Sequence, residues 1–99
     1  MALESLDDRA RRAHDELVDR WANAQADIGR LLAHDVEAYC GQVALLRECQ
    51  ERVSAEGVII AGPKGEPMPH PAVEIGRKAQ VEIRAWAHRF DPPNHLREA

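Results

Sequence analysis

Sixteen residues, from Glu56 to Pro71, restrict this chain more than any other stretch, because they hold a helix stop, two short extended runs, a tight turn and a helix start. Gly57 follows a long periodic run and suits a left-handed position past a helix end, where a Cβ would be strained. Val58, Ile59 and Ile60 form the chain's only run of three β-branched residues, and Gly62-Pro63-Lys64-Gly65 is turn chemistry, with proline presetting φ and glycine taking the tight corner. A small β-hairpin over 58–69 follows. Pro67 and Pro69 stand two apart, so their missing N–H groups face one edge, and that edge cannot donate to a further strand.

The rest of the chain reads as helix. Leu6, Ala10, Ala13, Leu17, Trp21, Ala24, Ile28 and Leu31 recur at spacings of three and four, which predicts a first helix over 4–30. Leu32, Val36, Tyr39, Val43, Leu46 and Val53 predict a second over 34–55, with Asp35 in its first turn, where a carboxylate favours the positive end of the helix dipole. Gly29 falls near the junction. Pro71 fits the first position of a third helix over 71–90, with Ala72, Ile75, Ala79, Ile83, Trp86 and Phe90 as its buried face and Pro92-Pro93 as its stop. The expected fold class is mainly α: an antiparallel helical hairpin, a small β-hairpin and a third helix, in one domain of 99 residues.

A chain this short buries only about 60–65% of its unfolded surface, so its stability as a monomer is marginal. Its hydrophobic fraction of 44% contains only 4% aromatic residues, a composition for close helix packing rather than for deep pockets. Val18, Leu45 and Val81 fall at the edges of the stripes. They either complete a three-helix core or meet another copy. In the second case they form, with Trp21 and Trp86 as packing anchors, the interface of a homo-oligomer.

Membrane insertion and secretion are not indicated, because no run of eighteen apolar residues occurs and the amino terminus is acidic. Cys40 and Cys49 lie nine residues apart on one predicted helix, about 13 Å of rise, too far for a disulfide, and read as small buried hydrophobes. The histidines His14, His34, His70, His88 and His95 show no i, i+4 pairing around a glutamate, and neither cysteine has zinc-type spacing. No metal, no cofactor and no catalytic residue is expected. Gly62-Pro63-Lys64-Gly65 lacks the spacing and the Lys-Ser/Thr pair of a nucleotide-binding loop.

The strings AYCGQVALLRECQERV, EGVII, GPKGEP and HPAVEIGRKAQVEIRAWAHRF, together covering roughly 31–90, resemble the small subunit of phage terminases. In that family a helix with an aromatic and small residues ends in glycine, then an apolar triplet, a glycine turn and a proline-rich run open another helix. Relatives continue with a GLTP-x-SR segment, where this chain has Phe90-Asp91-Pro92-Pro93-Asn94-His95. The separate helix-turn-helix domain of many relatives is not expected within this length. The resemblance implies a non-enzymatic packaging component that assembles as a ring in the host bacterial cytoplasm, binds phage double-stranded DNA near the packaging start and regulates the large terminase subunit, which holds the ATPase and nuclease activities. An oligomeric, protein-only adaptor of the large subunit is the alternative.

Charge bears on that choice. A net charge of −4 has the wrong sign for phosphate binding, so any DNA contact must be local. Arg9, Arg11 and Arg12, with His14 and Arg20 at helical distance, form either a basic strip or a solvated face laced with ion pairs to Asp7, Asp8, Asp15, Glu16 and Asp19. Lys64 at the hairpin tip is the remaining DNA-contact candidate.

Overall fold

A computed structural model describes residues 5–92 of the chain. Helix α1 spans Leu6–Asn23, a single 3-10 turn covers Ile28–Arg30, and α2 runs Ala33–Glu56. Strands β1 (Ile59–Ala61) and β2 (Pro67–Pro69) form the hairpin, and α3 spans Pro71–Phe90. The mainly helical class and the β-hairpin are as the sequence predicts.

The first helix is shorter at its carboxyl end than the predicted 4–30, and Glu4 lies outside the described residues. Its start is fixed by Ser5, whose hydroxyl accepts the Asp8 N–H at 3.1 Å. Its end is a Schellman motif: the Ala26 N–H reaches the Trp21 carbonyl at 2.9 Å, the Gln25 N–H reaches that of Ala22 at 3.0 Å, and Gln25 takes φ 56°. Glutamine is an unusual residue for this left-handed position, so no glycine marks the stop. The apolar spacing runs on regardless, because Ala26, Ile28 and Leu31 still pack against the core from the connection. Gly29 lies within the 3-10 turn, where the Asp27 carboxylate accepts its N–H at 2.8 Å.

The other boundaries fall within one or two residues of expectation. Gly57 has φ 90° and ψ 158°. That is not the left-handed helical well but the extended positive-φ region open essentially to glycine alone, so the chain leaves α2 directly into a strand. Ile59 faces Pro69, Ile60 faces Met68 and Ala61 faces Pro67. The His70 N–H donates to the Val58 carbonyl at 2.8 Å and the Gly62 N–H to that of Glu66 at 2.7 Å, which assigns residues 58, 60 and 62 to the bonded register. Pro67 and Pro69 therefore turn their nitrogens to the outer edge. At the start of α3, Nδ1 of His70 accepts the Ala72 N–H at 3.0 Å while Nε2 faces the Glu56 carboxylate at 3.3 Å. This geometry fixes the neutral ring as its Nε2–H tautomer.

α2 is the central element, with α1 and α3 both packed along it, each antiparallel. Toward one end the core is built from large side chains: Leu17, Trp21, Val36, Cys40 and Phe90, with Ala13 between. Tyr39 stacks on Phe90 with ring centroids 4.3 Å apart, and Trp21 donates its indole N–H to the Phe90 carbonyl at 2.9 Å. Toward the hairpin end the α2–α3 seam is lined by small residues, Ala44, Cys49, Ala72, Gly76 and Ala79, all buried. A Cβ on Gly76 would lie 3.1 Å from Cβ of Cys49, so the glycine sets how closely the helices approach. The predicted buried face of α3 is accordingly shifted: Ile75 and Trp86 are exposed and Gly76 takes the inward position.

The result is a rod of 59 × 26 × 21 Å. Its radius of gyration is 16.7 Å. A compact chain of this length has about 13 Å. The hairpin extends the helices at one end and packs chiefly on itself.

Candidate interaction surfaces

The predicted cationic strip on α1 divides. Arg9 is buried and its guanidinium pairs with Glu51 of α2, so it faces inward. Arg20 reaches across to Asp91, just past α3, at 3.0 Å. Glu16 accepts both terminal nitrogens of Arg47 at 2.6 and 3.2 Å, and this pairing holds the Glu16 carboxyl below the usual carboxylate range. These pairs join α1 to its neighbours. Arg11 is exposed with Asp8 3.8 Å away, and Arg12 is exposed on the same outer side. Lys64 projects from the hairpin turn, where its backbone N–H is held by Glu66 at 2.9 Å. The five candidate cations therefore form no single surface.

The expected interface residues also separate. Trp21 is only 4% exposed and belongs to the core of its own chain. Its place in the apolar stripe of α1 agrees with this, whereas the Phe90 carbonyl that it bonds lies on α3, beyond any reading of spacing. Val18 and Leu45 are half-buried, whereas Val81 and Trp86 stand open at 54% and 43%. Trp86 lines a groove between α2 and α3 of about 200 Å³, whose walls include Tyr39, Ile83 and Phe90 and whose rim carries Asp35 and Glu82. The guanidinium of Arg89 lies 4.9 Å from the Trp86 ring centroid. The hairpin adds Val58 and Ile59, both exposed. Exposed apolar residues thus occur on α3 and on the β arm.

Reading the α1 strip from sequence overlooked the cations of α3. Lys78, Arg84 and Arg89 are exposed and have no carboxylate within ion-pair distance among the described residues. Arg77 pairs with Glu74 one turn back through contacts of 2.6 and 3.1 Å. A charge count taken helix by helix, rather than along the chain, separates α3 from the others.

Among the described residues no three of His, Cys, Asp and Glu cluster as metal ligands, and burial pushes the thiols of Cys40 and Cys49 up, away from the thiolate form. No described helix is long and apolar enough to cross a membrane.

The family model described as "Phage terminase, small subunit" matches residues 10–91, which takes in nearly all of the three-helix rod and its hairpin. No curated protein and no solved structure matches the chain. With four-fifths of its length inside that match, the chain belongs to the phage terminase small-subunit family.

Proposed function

We propose that this chain is a non-enzymatic subunit that binds phage double-stranded DNA near the packaging start and regulates the ATPase and nuclease of the large terminase subunit. Family membership supports a role in phage DNA packaging, and the exposed apolar surface supports assembly. The observation that carries the reading is the family match over the folded core. A rod with a thin core and an open Trp86 groove gains by covering that surface with further copies, and head-to-tail contacts repeated by rotation close into a ring. The host bacterial cytoplasm, where packaging occurs, is the proposed site of action.

A protein-only adaptor is the second reading. It is favoured by the net charge of −4 and by the engagement of Arg9 and Arg20 in ion pairs within the chain. Two measurements test these proposals. Native mass spectrometry should give one discrete species well above the 11.1 kDa chain mass; a freely tumbling monomer at high concentration rejects the ring. Gel shift with the phage's own packaging-site DNA at low salt should show a complex, and stimulation of the large-subunit ATPase without any shift selects the adaptor.

A further inference from the structure

We propose that the outer face of α3, formed by Arg77, Lys78, Arg84 and His88 with Arg89 at its edge, is the surface that contacts the phosphates of double-stranded DNA. The proposal rests on the DNA-binding reading above and assigns that reading a place.

Charge is the first support. α1 carries four arginines against five carboxylates, and α2 carries two against five. α3 carries Arg77, Lys78, Arg84 and Arg89 against only Glu74 and Glu82. Among the α-helices of the described residues it alone has a net positive charge, in an acidic protein, and clustered Lys and Arg are what phosphate binding requires.

Placement is the second. Ala72, Gly76, Ala79 and Phe90 bury one side of α3, with Ile83 half-buried among them. At about 100° per residue, Arg77, Val81, Arg84, Ala85 and His88 fall on the opposite side, with Lys78 beside them. All six are exposed. Between the cations lie Val81 and Ala85, so no carboxylate occupies the middle of the strip. Glu74 is bound by Arg77, and Glu82 lies on the flank at the rim of the Trp86 groove. From Arg77 to His88 the strip runs about 16 Å at 1.5 Å per residue, enough to reach several phosphates of one strand.

The contrast with α1 is the third. Arg9 and Arg20 are tied to Glu51 and Asp91, so using them on DNA would first break contacts between helices. Among the described residues Lys78 and Arg84 hold no such contact, and both are exposed. A single strip makes few contacts, and repetition in an assembly multiplies them.

Fluorescence anisotropy with a short packaging-site duplex, titrated with salt, tests the assignment. The double variant Lys78→Gln/Arg84→Gln removes two exposed charges, and circular dichroism should show its helix content unchanged. Each lost phosphate contact lowers the slope of log K against log salt by about 0.9, so the variant should lose about 2 from the slope and roughly tenfold of the affinity decline between about 50 and 200 mM salt. Arg11→Gln/Arg12→Gln should leave the slope near that of the wild type. A wild type that binds while the α3 variant keeps its full slope overturns this assignment and leaves DNA binding standing. Failure of the wild type to bind at low salt overturns the DNA reading itself and, with it, this proposal.

Discussion

α1 and α3 both lie antiparallel along α2, yet they use their side chains in opposite ways. α1 turns large residues inward, Leu17 and Trp21, and directs charged groups at its neighbours: Arg9 to Glu51, Glu16 to Arg47, Arg20 to Asp91. α3 turns small residues inward, Ala72, Gly76 and Ala79, and leaves most of its cations facing solvent. One helix is fastened by bulk and ion pairs. The other sits close at its small residues, with Phe90 stacked on Tyr39 at its far end, and of its cations only Arg77, on Glu74, makes an ion pair among the described residues. Cations committed to neighbouring helices must break those contacts before they can be used elsewhere, and the cations of α3 make none of that kind among the described residues.

The largest effect is expected at Trp21. Trp21→Ala should destabilise the chain by about 3–5 kcal/mol, since it removes a buried indole and leaves the Phe90 carbonyl without its donor. Denaturant unfolding monitored by circular dichroism gives the value. Trp21→Phe keeps most of the volume and isolates the hydrogen bond, and should cost about 1–2 kcal/mol. If instead Trp21→Ala unfolds at the wild-type midpoint and only lowers the oligomer mass, the indole belongs to an interface and the α1 packing described above is wrong.

On the α3 side the sensitive residue is the smallest one. Gly76→Val places new atoms on Cβ of Cys49, and the resulting overpacking should cost about 1–3 kcal/mol in the same assay. Gly41 offers the internal control, because an added Cβ there meets nothing within 4 Å. Gly41→Ala on exposed α2 should stabilise by about 0.5–1 kcal/mol through the restricted unfolded chain. Opposite signs for two helical glycines would confirm that close approach, not helix propensity, governs the α2–α3 seam. Gly57→Val should cost about 1–3 kcal/mol for a different reason, its φ of 90° and ψ of 158° being closed to a β-branched residue.

Legibility from sequence followed the same divide. α3 was read to its ends because Pro71 and the Pro92 stop are local signals that need no knowledge of the fold, and the proline-edged hairpin was read for the same reason. The carboxyl end of α1 was not, since its Schellman motif uses Gln25 where glycine is the usual sign, and Ala26, Ile28 and Leu31 continue the apolar spacing without continuing the helix. That Trp21 bonds to α3 and that Arg9 pairs with α2 could not be read, because their partners, Phe90 and Glu51, are 69 and 42 residues away, beyond any reading of spacing. Exposed cations on α3 were legible in principle. Only the assignment of Gly76 to the inward face, shown by its approach to Cys49, reveals which side of that helix they share.

The smallest effect concerns the Glu16–Arg47 pair, and it tests whether the charges of α1 stabilise the fold at all. Arg47 binds the carboxylate through two nitrogens and holds its pKa below the ordinary value, so the native state binds fewer protons than the unfolded chain as the pH falls past that value. The stabilisation is therefore present above the unfolded pKa of about 4.3 and is lost as pH drops through the lower folded value. Glu16 and Arg47 are 48% and 39% exposed, so solvent screening limits the pair to about 0.2–1 kcal/mol. Wild type and Glu16→Gln, unfolded in parallel, should differ by a constant gap from neutral pH down to about 5, and the gap should narrow below about 4. High salt should narrow it at neutral pH as well. A gap that stays constant through the acid range, or that ignores salt, would mean that this ion pair adds nothing to the packing of α1 on α2.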